Sequence, residues 1–218
     1  VTYDPKKDIT YISIFGEGPF TLGMSTTKTT AKDFKEFLAL AKAKPGKLNS
    51  AVPGLGTLQH LVTEWFRLRA GVNIASVPYK GGAPALVDLR GGRISYLATS
   101  MTSAIGFVRE GRIRALATTG RRRARLLPDI PTVAESGFPN FETTVWHGVL
   151  APAKTPREII TRLNREIVAV LALPEVQKLL MNEGGEVSAG TPDEFREFIR
   201  AEVLKWAQVI KQAGITAE

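Results

Sequence analysis

Apolar and polar positions from the N-terminus to Thr118 follow two alternating patterns, one typical of strands and one typical of helices. Short runs rich in apolar and β-branched residues, bounded by glycine, proline or polar residues, predict strands. Between them, apolar residues recur every three or four positions, which predicts helices with one buried face. The predicted strands are residues 11–15, 20–24, 48–52, 73–77, 93–98 and 113–118, and the predicted helices are residues 30–44, 57–70, 83–89 and 103–110.

Strands that alternate with helices at this spacing predict βαβ units, and therefore an α/β fold with a mainly parallel sheet. Gly16 and Gly18 are predicted to separate the first two strands. Thr29 or Thr30 is predicted to cap the helix that follows them, because threonine hydroxyls accept from the first free N–H groups of a helix.

The pattern changes after Thr118. A basic loop that contains proline covers residues 120–131, and a single extended segment, residues 141–150, follows it. Amphipathic helices are predicted for residues 157–171, 174–181 and 192–212. Such helices need a sheet to cover their apolar faces, and this half of the chain provides only about one strand. We therefore expect an N-terminal segment that precedes Val1 to supply the missing strands.

Three polar loops follow the predicted strands, at residues 53–56, 78–82 and 99–102. The right-handed crossover rule places all three along one edge of the sheet. In open α/β folds ligands bind at this edge, where the N–H groups and the positive dipole ends of the following helices attract anions. The sequence therefore predicts a site for a small anion.

Each candidate residue in these loops also has a purely structural interpretation. The GLGT loop could be only a tight turn with a capping threonine. The tyrosine of the second loop could pack at the loop base while the adjacent lysine lies in solvent. His60 lies one turn into a predicted helix, which favours packing or support over catalysis. The predicted ligand-binding residues are Gly54, Gly56, Thr57, His60, Tyr79, Lys80, Thr99 and Ser100.

Composition removes several classes of function. The chain has no cysteine, which excludes disulfides, thiolate metal sites and cysteine nucleophiles. Neither of its 2 histidines is spaced to pair with a nucleophile, and no catalytic serine motif, phosphate-binding loop or paired-histidine metal motif occurs. We therefore predict no catalytic residue, no cofactor, no metal site and no enzymatic activity.

The chain is basic, with 29 lysines and arginines against 21 acidic residues and a net charge of +8. A basic balance can steer anionic ligands, but it does not by itself identify nucleic acid as a partner. The arginine-rich run over residues 109–125 crosses several predicted elements and contains no aromatic residue on which bases could stack. We predict a solvated basic surface, no nucleic-acid partner and a monomer.

Several longer motifs occur together in a familiar order, and together they resemble one family. The chain is similar over its whole length to the extracytoplasmic solute receptors of the tripartite tricarboxylate transporters, the Bug receptors. The motifs are PGKLN at residues 45–49, G-x-G-T-x-x-H-L at 54–61, VPYKGGAPAL at 77–86, LPDIPTVAESGFPNFE at 127–142, WHGVLAPAKTP at 146–156 and KQAGI at 211–215.

The resemblance implies a periplasmic binding protein of the type II fold, in which two α/β lobes close on a small carboxylate for delivery to the permease subunits of a membrane transporter. It implies that residues 20–141 form the complete second lobe and that residues 1–19 and 142–218 are the remainder of the first. The hinge is expected near residues 20–23 and 142–146. An N-terminal segment of the first lobe, including one ligand loop, is expected to be absent.

The third loop departs from the family pattern. An aromatic, an acidic and an amide residue are common there, whereas this chain has Ala98, Thr99 and Ser100. An acid at position 99 would be a partner for a ligand ammonium, so its loss favours a carboxylate without an amino group, such as a dicarboxylate. Two other classes stay open: a cytoplasmic effector-binding domain of a regulator, and a hydrolase or transferase on an α/β scaffold.

Overall fold

The computed structural model describes residues 4, 7–182 and 184–216. The chain divides into two compact units. The smaller unit contains Val1–Gly18 and Trp146–Lys205, and the larger unit contains Pro19–Val145 and Trp206–Glu218. The assignment of residues 20–141 to one lobe, and of residues 1–19 and 142–218 to the other, stays a prediction.

Six strands form one sheet, ordered β3-β2-β4-β1-β5, with β6 pairing with β1. β2 is parallel to both β3 and β4, whereas β1 is antiparallel to both β4 and β5. The strands are β1 Ile9–Ser25, β2 Asn49–Val52, β3 Ala75–Pro78, β4 Tyr96–Ser100, β5 Ile113–Thr118 and β6 Thr144–Pro152.

The prediction of a mainly parallel sheet is correct for β2 to β5 and wrong for β1. Helices connect β2, β3, β4 and β5 in succession, and a crossover helix that joins two strands of one sheet makes them run in the same direction. β1 lies between β4 and β5, which come much later in the chain, so no crossover fixes its direction.

β1 is one continuous strand of 17 residues, not the two strands that Gly16 and Gly18 were expected to separate. Backbone pairing continues between these glycines, because Glu17 and Glu186 exchange N–H···O bonds of 3.0 and 2.6 Å. A Cβ atom on Gly18 would lie 3.1 Å from the carbonyl oxygen of Gly184. Glycine at position 18 therefore permits close backbone approach instead of ending the strand.

The helices of the larger unit are α1 Phe34–Ala43, α2 Leu58–Ala70, α3 Gly82–Arg90 and α4 Met101–Arg109. α1 begins later than predicted, because the carboxylate of Asp33 caps it by accepting from the N–H of Glu36 at 2.8 Å. The predicted cap Thr29 instead donates its hydroxyl proton to the carbonyl of Ser25.

Aromatic rings form the centre of the core of the larger unit. The fully buried Tyr96 ring of β4 lies 5.5 Å from Phe37 of α1 and 5.7 Å from Phe66 of α2, measured between centroids. Trp65 stacks on Phe141 at 4.1 Å. These contacts hold α1 and α2 against the sheet. They thereby position the N-terminus of α2, which directly follows the predicted ligand loop.

The smaller unit contains the first part of β1, most of β6, and α5 Arg157–Leu171, α6 Pro174–Asn182 and the N-terminal part of α7 Pro192–Ala213. α7 buries Phe195 against Tyr11 and Trp146 at ring distances of 5.2 and 5.8 Å. Of α5, only Ile160 and Leu171 are buried. Most of the predicted apolar face of α5 is therefore exposed or only partly buried in the described structure.

Candidate ligand-binding edge

The three predicted loops lie along one edge of the sheet. Parallel pairing aligns Val52 of β2 with Pro78 of β3, and Ala51 of β2 with Leu97 of β4. The carboxyl ends of β2, β3 and β4, the last of which is Ser100, therefore point the same way. Each strand continues through its loop into α2, α3 or α4, so the N-termini of these helices share that edge.

The GLGT loop after β2 contains two glycines in conformations that other residues adopt at a cost. Gly54 has a φ of 109° and Gly56 a φ of 73°. Thr57 is the N-cap residue of α2, as predicted, but its side chain does not cap the helix. Its hydroxyl instead donates to the carbonyl of Gly54 at 2.8 Å, which ties the loop into a tight turn.

His60 lies beneath this loop and is almost fully buried. Its Nδ1 accepts from the N–H of Gly56 at 3.0 Å, and its Nε2 lies 3.8 Å from Oε1 of Glu64. Both oxygens of the buried Glu64 carboxylate accept from Nη1 of Arg67, at 2.8 and 2.7 Å, and Oε1 also accepts from the hydroxyl of Ser76. The imidazole is thus held between the loop and a paired carboxylate.

Tyr79 in the second loop is partly buried, and its hydroxyl donates to Oδ2 of Asp88 at 2.8 Å. Nη1 of Arg93 donates to Oδ1 of the same carboxylate at 2.6 Å. Burial, followed by the bond to Asp88, raises the pKa of Tyr79 to about 12. Lys80 is exposed, and the next residue, Gly81, is the N-cap residue of α3 and has a φ of 104°.

Hydroxyl groups cluster at the third loop. Thr99 is buried in β4 opposite Thr21 of β1. Ser100 is the N-cap residue of α4, and its hydroxyl shares hydrogen bonds of 3.0 and 2.9 Å with the hydroxyls of Thr102 and Ser103. These side chains hydrogen-bond to one another, and no side-chain cap bond is made to the first turn of α4.

The three helices at this edge share a feature that separates them from α1 and α7. Among the residues that the structure describes, the N-cap residues Thr57, Gly81 and Ser100 make no side-chain hydrogen bond to α2, α3 or α4. By contrast, Asp33 caps α1 and Thr191 caps α7. α5 also starts without a side-chain cap. Three helix N-termini at one sheet edge therefore keep N–H groups that an anion can accept from.

Sequence reasoning missed the side chains that support these loops. Glu64 follows His60 by four residues, a spacing that places two helical side chains on one face, so the pair could have been found. Asp88 and Arg93 lie beyond the loop that Tyr79 occupies, and no sequence spacing connects the three. Direct ligand contact by any of the eight predicted residues stays a prediction.

The remaining polar features of the described residues lie outside this edge. No group of three or more histidine, aspartate or glutamate side chains within them is placed to hold a metal ion. In the arginine-rich run, Arg112 pairs with Glu110, Arg123 pairs with Glu135, and Arg114 donates to the carbonyl of Ala31. Within residues 7–182 and 184–216, no helix has the length and apolar character that a membrane span requires.

Comparison with known proteins decides the family. The profile of the tripartite tricarboxylate transporter family receptor, TctC, matches residues 1–215. The chain belongs to this family. The Bug-receptor resemblance is therefore confirmed, and the family is one of receptors, in agreement with the prediction that the chain is not an enzyme.

Within the TctC receptor family, the chain is 36% identical over 214 residues to protein BugT of Bordetella pertussis, covering 98% of this chain and 65% of BugT. The structure of Rpa4515 from R. palustris with adipate aligns with a TM-score of 0.91 at 35% identity, covering 98% of this chain and 71% of that one. MatC from Rhodopseudomonas palustris with bound malate aligns with a TM-score of 0.85 at 28% identity, covering 96% and 72%.

The structure of the periplasmic binding protein BugD also aligns, with a TM-score of 0.88 at 30% identity, which confirms the prediction of an α/β fold of the periplasmic-binding-protein type. The chain spans about two thirds of the length of BugT. Which parts of the two predicted lobes it contains stays a prediction.

Proposed function

We propose that this chain is the ligand-binding part of a periplasmic receptor that captures a small carboxylate between two lobes and delivers it to the permease subunits of a tripartite tricarboxylate-type transporter. The observation that carries the proposal is the set of three helix N-termini without side-chain caps at one sheet edge. Membership of the TctC receptor family supports it.

The chemistry of this edge suits a carboxylate. N–H groups in the first turns of α2, α3 and α4 have no partner within their own helices, and their dipoles favour negative charge. The exposed ammonium of Lys80 adds a positive charge that can move with its flexible stem. We propose that the ligand approaches the GLGT loop closely because Gly54 and Gly56 lack side chains; the N–H groups of these two glycines are already bonded to Val52 and His60. The ligand would accept instead from the first turn of α2, which follows Thr57, and from the hydroxyls of Thr99 and Ser100, with Tyr79 forming a wall of the site.

The proposed ligand class is a dicarboxylate. Thr99 stands where family members often have an acid, so the third loop has no carboxylate at that position to pair with a ligand ammonium. Two related structures contain adipate and malate, both of which carry two carboxylates and no amino group. Charge supports the same class, because the chain has a net charge of +8 and would attract a dianion.

Isothermal titration calorimetry on the natural full-length protein, with every residue that its gene encodes after any leader, tests the proposal. The panel contains adipate, malate, acetate, citrate and aspartate. We expect saturable one-to-one binding of at least one dicarboxylate and weaker binding of aspartate, because its ammonium finds no acidic partner. Absence of binding by every carboxylate in the panel would contradict the proposal.

A further inference from the structure

The contact between His60 and Gly56 is a variant of a known way to close a helix N-terminus. In a capping box, a glutamate or glutamine at the third helical position reaches back to a backbone N–H at the start of the helix. His60 is the third helical residue of α2, and its Nδ1 accepts from the N–H of Gly56, one residue before the N-cap, at 3.0 Å. The imidazole is therefore the hydrogen-bond acceptor in the position where a capping box usually has a carboxylate or an amide.

This geometry specifies the proton on the ring. A nitrogen that accepts a hydrogen bond carries no proton, so the contact with Gly56 requires the tautomer of His60 that has its proton on Nε2. Nε2 lies 3.8 Å from Oε1 of Glu64, on the side of the ring away from the loop. Nη1 of Arg67 and the hydroxyl of Ser76 hold that carboxylate in place, so its charge is paired and fixed in direction.

We propose that His60 is a positioning residue that acts as a neutral hydrogen-bond acceptor. It holds the GLGT loop through Gly56 and adds no negative charge at the N-terminus of α2, so the positive end of the helix dipole remains favourable for a carboxylate ligand. The inference rests on the proposed function. A glutamate at the same position would hold the loop equally well, but its charge would lie in the same helical turn as the ligand and repel it. The supporting charge, Glu64, lies one turn further along and is neutralised by Arg67.

Three substitutions separate loop support from charge. His60→Gln keeps a neutral acceptor, His60→Glu keeps an acceptor but adds a charge, and His60→Ala removes the acceptor. In calorimetry with adipate and malate on the natural full-length protein, we expect His60→Gln to bind within about threefold of the wild type. We expect His60→Ala and His60→Glu to bind about tenfold more weakly, or worse, since a loop without its acceptor or an added like charge disfavours the bound anion.

Exchange of the Gly56 amide with solvent distinguishes the two weak variants. His60→Glu keeps an acceptor for this N–H, so the amide should stay protected, whereas His60→Ala should exchange faster. Melting temperature does not separate them, because a glutamate at position 60 gains from the helix N-terminus but lies beside the buried Glu64 carboxylate. A simple structural role predicts that affinity falls only where this amide exchanges faster. His147→Gln is the matched control, since His147 is exposed, belongs to β6 and lies outside the GLGT loop.

Nitrogen NMR gives a readout that needs no ligand. Signals that disappear in His60→Gln belong to the imidazole of His60, and signals that disappear in His147→Gln belong to His147. We expect Nδ1 of His60 to be unprotonated and Nε2 to be protonated at neutral pH, and the Gly56 amide to exchange faster with solvent in His60→Ala. A proton on Nδ1, or equal affinities for His60→Gln and His60→Glu, would overturn the inference. If the wild type binds no carboxylate, the proposed function and the charge argument fail together, while the NMR result still decides whether His60 holds the loop.

Discussion

Three glycines of the larger unit allow one chemical change to be compared in three backbone conformations. Replacing each with alanine adds the same methyl group. At Gly54, φ is 109° and the added Cβ would lie 3.0 Å from Cγ2 of Thr57. At Gly56, φ is 73° and no described atom lies within 4 Å of the added Cβ. Gly106 lies within α4 with its position open, and its φ is not positive.

The expected effects differ in sign as well as size. Gly56→Ala places an L-residue in the left-handed region without a clash, which lowers the free energy of unfolding by about 1–2 kcal/mol. Gly54→Ala adds a tight contact to a φ beyond the usual left-handed region, so we expect a loss of about 2–3 kcal/mol. Gly106→Ala removes a glycine from a helix interior and should raise the free energy of unfolding by about 0.5–1 kcal/mol.

Urea unfolding followed by tryptophan fluorescence measures these differences, because Trp65 and Trp206 both lie in the larger unit with rings 5.7 Å apart. The slope of the free energy against urea concentration should be the same for all three variants, so that midpoints report stability directly. The reasoning is refuted if Gly56→Ala stabilises as much as Gly106→Ala. It is equally refuted if Gly54→Ala costs less than Gly56→Ala.

Other variants test single contacts of the described structure. Tyr96→Phe should raise the free energy of unfolding by about 1 kcal/mol in urea unfolding, since the fully buried Tyr96 hydroxyl finds no partner among the described residues. Tyr79→Phe should lower it by about 1 kcal/mol, because the hydrogen bond to Asp88 is lost from a partly exposed site. The backbone N–H of Thr191, followed by its hydroxyl, lowers the pKa of Glu194, so this carboxylate stabilises the fold above its ordinary pKa of 4.5 and stops doing so as pH falls through the lowered value. Melting temperatures of Glu194→Gln and the wild type should therefore differ at pH 7 and converge in acid; a constant difference would contradict this.

The sequence was sufficient to predict where the strands and helices of the larger unit lie, because each has a clear period and a clear boundary. Ile113–Thr118 coincides with its predicted range, and so does Arg157–Leu171 in the smaller unit. Strand direction was predictable only where a helix joins neighbouring strands, which is why β1 was misjudged. Periodicity says nothing about a strand whose neighbours are distant in the chain.

The loops of the candidate site were also predictable, whereas the direction of their side chains was not. A threonine before a helix predicts a cap, yet the hydroxyl of Thr57 bonds to Gly54 because the positive φ values of the loop bring that carbonyl within 2.8 Å. In the same way, Tyr79 finds Asp88 only once α3 has folded. Choices between two hydrogen-bond partners depend on backbone coordinates that local sequence does not encode.

The uncapped first turns of α2, α3 and α4 have a consequence for the lifetime of the protein. An absent side-chain cap costs about 1 kcal/mol at Thr57 and at Ser100 and roughly a few tenths of a kcal/mol at Gly81. Together they lower the stability by about 2 kcal/mol, in a fold whose total stability is on the order of 5–15 kcal/mol. A carboxylate that accepts from these N–H groups would restore that stability while it is bound. The empty protein would then be degraded faster by proteases than the loaded one, so that the amount of receptor in the cell would follow the supply of its ligand.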